Sequence, residues 1–493
     1  MSVALGFLAF NGMLLVAGYA LIAVFLRRLS AVTRATYAGL ALLLGAGTVG
    51  GLLAFLAVLG LRPTPIAFVV AAALVVFAGV TVLARTTPRP RRRRVVLPPV
   101  QEPEPPPPPR RELPLALDLA TTAAAFGVAA FALLTLVAAF RSTAWLDDAW
   151  FLWLPRGLML REHGLDPAIF APNPAYAGFP DFDYPLWWSI LTAVQTSFLG
   201  ELNMHAVNGQ LTLLVVAFVA SVGRLLWGLV RPEILWPGLL LLLAAPELIH
   251  QTQSGGADLL LAAYISAFAL GAALWLGRGS SLGLTVAAVA AVAALAIKKE
   301  GLVQVLMFAT VIGVAGLRRG RSRLLGLAGV VGFALATHVP WLLWLSAHDV
   351  PSRLRYSDIF DAEFLSDRSG RIEPSASYLL DEMLDPGKWL VILPLAIVLS
   401  LAGALRTRRL VWLAPTVAIA GGFALLVGVY WVGQFELEAW LGTSARRVVD
   451  TVMVFAAISI PVLGEALARS QPAVSRSTAP EDPTELEWDW GMG

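Results

Sequence analysis

Long uninterrupted apolar segments dominate this sequence. Thirteen of them have roughly the 20 residues that a helix needs to cross the hydrocarbon core of a bilayer. Strands of a membrane barrel would instead alternate polar and apolar side chains over about 10 residues. The sequence therefore predicts an all-α polytopic membrane protein of about 13 transmembrane helices. The segments lie near residues 3–26, 36–60, 65–84, 116–140, 206–229, 234–250, 257–276, 282–298, 301–317, 324–347, 388–405, 411–431 and 447–467.

Composition supports the same class. Apolar residues make up 58% of the 493 residues and charged residues 14%, whereas a soluble domain carries about 25% charged residues. A soluble enzyme or a transcription factor is therefore excluded. The chain has no cysteine, which excludes disulfides, thiolate metal sites and thiol nucleophiles.

Four arginine-rich stretches predict the orientation, because cytoplasmic loops are enriched in basic residues. They are Arg27-Arg28, Arg91–Arg94, residues 318–323 and residues 406–409. One topology places all four inside, with the N-terminus outside and the C-terminal tail inside. It explains the basic pI of about 9.3 without a nucleic-acid partner.

This topology leaves two long external loops, and long loops in compact proteins are usually functional. The first long loop is residues 141–205 and the second long loop is residues 348–387. The first ends in an apolar segment after Pro185, predicted to lie along the membrane interface. Five tryptophans of this loop are expected to act as interfacial anchors: residues 145, 150, 153, 187 and 188.

The predicted organisation has five parts. Segment 85–114 is rich in proline and arginine, so we expect an extended cytoplasmic tether; a site for anionic lipid or a proline-recognising partner is the alternative. The parts are a three-helix prefix (1–84), this linker (85–114), a seven-helix module (115–347), an external loop with three helices (348–467) and a disordered cytoplasmic tail (468–493).

Asp147 and Asp148 begin the first long loop just beyond a membrane segment. Adjacent helical residues point about 100° apart, so one carboxylate can face a cavity while the other caps or orients. A carboxylate near the membrane surface is suited to act as a general base. An ordinary helix N-cap is the alternative interpretation.

Basic pairs occur at two predicted external helix ends, against the usual charge bias. Lys298 and Lys299 precede Glu300, and Arg446-Arg447 begin the last span. Buried cations need a partner, and a lipid-linked phosphate is the obvious one. The alternatives are snorkelling to headgroups and, for Arg446, a helical pair with Asp450.

Two further residues are candidates for supporting roles. Asp258 starts a span at the predicted external end, where helix capping is the alternative explanation. Tyr184 lies in the first long loop, where a tyrosine is often only an interfacial anchor. The sequence contains no established metal-binding motif.

These motifs, in this order, resemble the GT-C superfamily of membrane glycosyltransferases. The most similar branch is the one that uses polyprenyl-phosphate sugars. This branch includes protein O-mannosyltransferases and aminoarabinose transferases. The chain departs from that branch in its prefix and linker, in Phe151 where tyrosine is more usual, and in lacking a large soluble C-terminal domain. The matching residues are Asp147-Asp148 with Phe151 and Met159, Tyr184-Pro185, Ala257-Asp258, and Lys298-Lys299-Glu300-Gly301.

The resemblance implies an inverting transferase of the bacterial plasma membrane that acts on the external side. The donor would be a polyprenyl-phosphate sugar, the acceptor a glycan, lipid or protein, and no metal or other cofactor is expected. Asp147 would be the general base, and Asp148 would orient the acceptor or Asp147 itself. Lys298, Lys299, Arg446 and Arg447 would hold the donor phosphate, supported by Glu300, Asp258 and Tyr184. The alternatives are a flippase for lipid-linked saccharides and an O-antigen-polymerase-like protein.

Overall fold

The computed structural model describes residues 2–27, 29–86, 115–170, 183–350 and 360–470. Apart from one isolated bridge, every regular element in these ranges is a helix. Nine helices in these ranges are long and apolar enough to cross a membrane, and four shorter apolar helices accompany them. The prediction of an all-α multi-pass membrane protein is therefore confirmed, whereas the count of about 13 spans stays a prediction.

Most of the predicted linker and most of the predicted tail lie outside the described residues. The undescribed parts are residues 87–114 of the linker and residues 471–493 of the tail. The first long loop is described except for residues 171–182, and the second except for residues 351–359.

The N-terminal third of the chain contributes the predicted prefix and the first span of the predicted module. Its helices are α1 (Val3–Leu26), α2 (Ala31–Ala35), α3 (Ala38–Val58), α4 (Pro65–Thr86) and α5 (Leu115–Ala139).

The middle third begins in the first long loop with a π-helical turn (Ala149–Trp153). The helices that follow are α6 (Leu154–His163), α7 (Pro167–Phe170), α8 (Trp187–Leu199), α9 (Met204–Leu226), α10 (Pro232–Leu243), α11 (Pro246–Gln251), α12 (Asp258–Arg278), α13 (Ser281–Ile297), α14 (Glu300–Ala315) and α15 (Arg321–Ala347).

The C-terminal third contains three helices of the second long loop, followed by four others. They are α16 (Ala362–Asp367), α17 (Ile372–Leu384), α18 (Pro386–Trp389), α19 (Ile392–Thr407), α20 (Ala414–Val432), α21 (Leu437–Val448) and α22 (Asp450–Arg469).

Proline divides one predicted span. Segment 234–250 forms two helices, because Pro246 starts α11 and disfavours a helical conformation at the residue before it. Ala245 is accordingly extended, with φ −64° and ψ 119°. The short helix α11 contacts the first long loop. The centroids of the His250 and Trp145 rings lie 4.2 Å apart, and the His250 backbone carbonyl accepts from the Trp145 indole.

The prefix helices pack into the same helical body as the rest of the described chain. Helices α1, α3 and α4 contact one another, and α3 also packs against α9 and α13. Asn11 Nδ2 on α1 donates to Gln210 Oε1 on α9 at 2.8 Å. The Tyr264 hydroxyl on α12 donates to the Leu43 carbonyl on α3 at 2.8 Å. The prefix therefore supports the helices that carry the candidate site.

We expect Gly45→Ala to loosen this packing. A Cβ atom at Gly45 on α3 would lie 1.8 Å from the Leu14 carbonyl oxygen on α1, so the two backbones would have to separate. Overpacking of this kind costs about 1–3 kcal/mol of unfolding free energy, measurable as a lower Tm in detergent. Gly12→Ala on α1, where a Cβ atom meets open space, is the matched control. Equal Tm values for both variants would contradict the prediction.

Helix α8 is enclosed by protein. It packs against α1, α3 and α6, and Trp187 and Trp188 at its start are at most 1% exposed. Trp153 of the same loop is equally buried. The expectation that these three tryptophans are interfacial anchors is therefore wrong, and the other two tryptophans of the loop are exposed. The reason is tertiary, because the prefix helices cover a face that an isolated loop would turn to the membrane.

Candidate functional site

A cavity of about 380 Å³ lies where α12 and α14 begin and α13 and α20 end. Its volume is within the range of about 300–1,000 Å³ that is typical of small-molecule sites. Six of the nine residues that the sequence nominates line it: Asp148, Tyr184, Asp258, Lys298, Glu300 and Arg447.

A chain of ion pairs runs along the cavity wall. Arg447 of α21 donates to Asp148 Oδ2, and its Nη1 lies 3.7 Å from Asp258 Oδ2. Asp258 Oδ1 in turn accepts from Lys298 Nζ at 2.6 Å. Two cations and two carboxylates from four separate segments therefore alternate along one surface.

The series of ion pairs extends to the first long loop through Glu300 and Tyr184. Lys298 Nζ lies 4.0 Å from Glu300 Oε1, and the same carboxylate oxygen accepts from the Tyr184 hydroxyl at 3.2 Å. Lys298 Nζ also lies 5.3 Å from the centroid of the Tyr184 ring, within the range of a cation–π contact. Tyr184 thus connects the first long loop to the start of α14.

The break between α13 and α14 exposes Lys298 to the cavity. Lys298 is extended, with φ −145° and ψ 156°, and ends α13. Helix α14 starts two residues later and returns beside α13. A Cβ atom at Gly301 would lie 2.1 Å from the Ala294 carbonyl oxygen, so only glycine permits this close return. The Lys-Lys-Glu-Gly motif therefore forms a tight turn between α13 and α14, and this turn places the Lys298 side chain at the cavity.

The two aspartates of the first long loop occupy different environments. Asp148 lines the cavity and is paired with Arg447, whereas Asp147 is exposed and is not among the lining residues. The π-helical turn (Ala149–Trp153) follows immediately, and such turns often occur at functional sites. The position therefore favours Asp148 over Asp147 as the carboxylate that meets a substrate.

Lys299 and Arg446 lie outside this cavity. Lys299 Nζ binds Asp183 Oδ2 at 2.5 Å, and both side chains are buried. Arg446 Nε binds Glu247 Oε2 of α11 at 2.6 Å. The alternative pair with Asp450 is not among the ion pairs of the described residues. Lys299 therefore ties the start of α14 to the first long loop, and Arg446 ties α21 to α11, instead of lining the cavity.

Arg156 of α6 is a buried residue that is not among the candidates predicted from the sequence. It is 2% exposed, donates to the Tyr184 carbonyl and lies 5.7 Å from the ring centroid of Trp341. It therefore positions the Tyr184 segment. A lone arginine in the apolar stretch 152–160 was the available signal, because buried charges require partners.

The wall at α20 and α21 was also not predicted. It is aromatic and polar, and the Tyr430 and Ser444 hydroxyls pair at 2.6 Å. Beside it, Gln304 of α14 donates to Thr451 of α22 at 3.2 Å. Aromatic residues at a span end are usually assigned to the membrane interface, so the sequence offers no specific signal for this wall.

An apolar groove of about 210 Å³ adjoins the cavity between α14 and α20. Glu300 and Val429 line both the groove and the cavity. The groove's other lining residues are Lys299, Val303, Leu365, Ala424, Leu425, Gly428, Trp431 and Val432. A charged site and an apolar channel therefore meet at the start of α14.

Over the residues that the structure describes, no group of three or more His, Cys, Asp and Glu side chains is arranged to hold a metal ion. Comparison with known proteins finds no matching family model, no matching curated protein and no matching solved structure.

Proposed function

We propose that this protein is an inverting membrane glycosyltransferase of the GT-C type. It transfers a sugar from a polyprenyl-phosphate donor to a glycan, lipid or protein acceptor. The reaction takes place on the external side of the plasma membrane, where the predicted topology places the cavity.

The observation that carries this proposal is the junction of the charged cavity with the apolar groove. Glu300 and Val429 line both spaces, so the cavity and the groove lie side by side at the start of α14, and we propose that one ligand occupies both. A ligand that fits has an apolar chain and a polar head that interacts with cations. A polyprenyl-phosphate sugar has this chemistry, with its chain in the groove and its phosphate at Lys298 and Arg447.

The cavity's own carboxylates determine how a phosphate enters. Lys298 and Asp258 are almost fully buried, with side-chain exposures of 6% and 7%, whereas Asp148 is 38% exposed. Separating the buried pair would leave a charge without solvent, which is costly. The Asp148 carboxylate can move into water at lower cost. The incoming phosphate therefore displaces Asp148 from Arg447, and this releases Asp148 to act as a base.

The chemistry then follows from these positions. Asp148 accepts the proton of the acceptor hydroxyl as its oxygen attacks the anomeric carbon. The bond from that carbon to the phosphate oxygen breaks on the opposite face, and its electron pair leaves with the phosphate. Lys298 and Arg447 stabilise the charge that develops on the leaving group. One displacement inverts the anomeric configuration.

The direct test is a transfer assay. Purified protein is incubated with radiolabelled polyprenyl-phosphate hexoses and pentoses and with a membrane extract as the source of acceptors. We expect label from one donor to enter a new product with inverted anomeric configuration. Retention of configuration would contradict the single-displacement mechanism, and absence of transfer across the panel would count against the proposal.

The flippase alternative is tested with the same donors in vesicles. A flippase needs polar groups along a path through both leaflets, whereas six nominated residues gather at one cavity. Reconstituted protein should therefore leave the donor in its original leaflet. Movement of intact donor across the bilayer would favour the flippase over the transferase.

Filling the apolar groove should weaken donor binding. Gly428 lines the groove, and a Cβ atom there meets open space. Gly428→Leu should raise the KM for a polyprenyl donor about 10-fold with kcat nearly unchanged, because it removes binding common to ground and transition states. Gly332→Leu on α15 is the control, since its Cβ atom also meets open space and it does not line the groove. An unchanged KM in Gly428→Leu would show that the polyprenyl chain of the donor binds outside this groove.

A further inference from the structure

One wall of the cavity differs from the charged walls. It is built by the end of α20, the start of α21 and the turn between them. Its aromatic, hydroxyl-bearing and acidic members line the same space as Lys298 and Arg447. They are Tyr430, Phe435, Glu436, Trp440, Thr443 and Ser444.

Trp440 is the central residue of this wall and is held from several sides. Its ring centroid lies 4.5 Å from that of Tyr430 and 5.1 Å from that of Phe435. A Cβ atom at Gly433 would lie 2.0 Å from the Trp440 ring, so the backbone of the turn lies directly against the indole. The indole is half-buried, which leaves part of it in the cavity. Trp440 is therefore a rigid apolar surface in a polar site.

The second long loop holds the turn in place. Arg371 donates to the Gly433 carbonyl at 2.8 Å and to the Phe435 carbonyl at 2.9 Å. Arg368 donates to the same Gly433 carbonyl, and α17 packs against α20 and α21. The described part of this loop contributes no residue to the cavity lining. It therefore positions the wall.

Glu436 places a carboxylate beside the aromatic surface. It caps α21, accepting from the Ala439 amide at 2.7 Å and the Glu438 amide at 3.1 Å. These backbone hydrogen bonds hold the pKa of Glu436 below its usual range, so the carboxylate stays charged. A carboxylate has about four acceptor positions, so positions remain for other donors.

We infer that this wall is the subsite for the glycosyl ring of the donor, with Trp440 stacking on the ring and Glu436 accepting from its hydroxyls. A sugar ring has an apolar C–H face and a polar rim of hydroxyls. An aromatic surface with adjacent acceptors matches both properties. The inference rests on the proposed function, since the ring belongs to a donor whose phosphate lies at Lys298 and Arg447.

Binding of two lipids tests the inference separately from the transfer reaction. The probes are polyprenyl phosphate and the same lipid carrying a hexose or pentose, measured against purified full-length protein in detergent. We expect the wild type to bind a sugar-bearing lipid about 10-fold more tightly than the bare lipid. In Trp440→Ala this preference should fall to less than about twofold, while affinity for the bare lipid stays within about twofold.

Two variants sharpen the test. Glu436→Gln should lose part of the preference without affecting the bare lipid, because an amide keeps the shape but weakens acceptance from hydroxyls. Trp227→Ala is the control, since this exposed tryptophan lies between α9 and α10 and does not line the cavity.

The outcomes separate the inference from the proposed function. A wild type that binds both lipids equally, or a Trp440→Ala variant that keeps the preference, overturns the inference while the phosphate site stands. A wild type that binds neither lipid overturns the proposed function itself. Equal loss of affinity for both lipids in Trp440→Ala indicates a structural role and also overturns the inference.

Discussion

Asp148→Asn is expected to lower the rate of sugar transfer by about 10²–10⁴-fold, the usual contribution of a positioned general base. Asparagine cannot accept the proton of the acceptor hydroxyl, although it preserves the shape of the side chain. Donor affinity should not fall, and it is expected to rise slightly, because the amide competes less strongly than a carboxylate for Arg447. Transfer kinetics and an equilibrium donor-binding measurement together check both parts.

The matched control is Asp147→Asn. Its side chain is exposed and does not line the cavity, so we expect a rate within about threefold of the wild type, as for surface substitutions away from a site. The resemblance to the GT-C superfamily implies that Asp147 is the base. A large loss in Asp147→Asn with little effect in Asp148→Asn would support that assignment and contradict the one that the cavity favours.

Lys298→Met should lower both the stability of the protein and its affinity for the donor. Among the residues that the structure describes, buried Asp258 would keep one charged partner, Arg447 at 3.7 Å. Breaking a buried ion pair on one side costs about 3–5 kcal/mol, which should appear as a markedly lower Tm. Donor affinity should fall about 100-fold, because a charge-assisted contact to phosphate is lost.

A double variant separates the two effects. Asp258→Leu combined with Lys298→Met replaces the buried pair by apolar side chains, and such replacements often recover stability. The double variant should regain most of the Tm but none of the donor affinity. Recovery of donor affinity together with Tm would show that Lys298 is purely structural.

The neighbouring buried pair gives a matched control. Lys299 and Asp183 are as deeply buried as Lys298 and Asp258, but neither lines the cavity. Asp183→Leu combined with Lys299→Met should also regain Tm. Lys299 lines the apolar groove, where methionine keeps the apolar stem of the side chain, so donor affinity should stay within about threefold of the wild type. A 100-fold loss of affinity in this variant would instead support the sequence-based assignment of Lys299 to the phosphate.

The buried tryptophans of α8 show where local reasoning fails. Trp187 and Trp188 follow a proline in a loop, a pattern typical of an interfacial helix. Burial of this helix depends on α1 and α3, which precede it by more than 100 residues. Nothing within the loop records that contact, so the amphipathic pattern alone leads to the wrong environment.

The membrane-spanning helices could be predicted from the sequence, because a helix needs about 20 consecutive apolar residues to cross a bilayer and such runs are visible along the chain. The candidate residue types were also readable, since charges at the ends of apolar segments are rare and need partners. The partners were decided only by the tertiary structure. Asp148 and Arg447 are 299 positions apart, and Lys299 and Asp183 are 116 apart. Ion pairing depends on distances of a few ångströms between side chains, and only the packing of the helices determines which charges come that close.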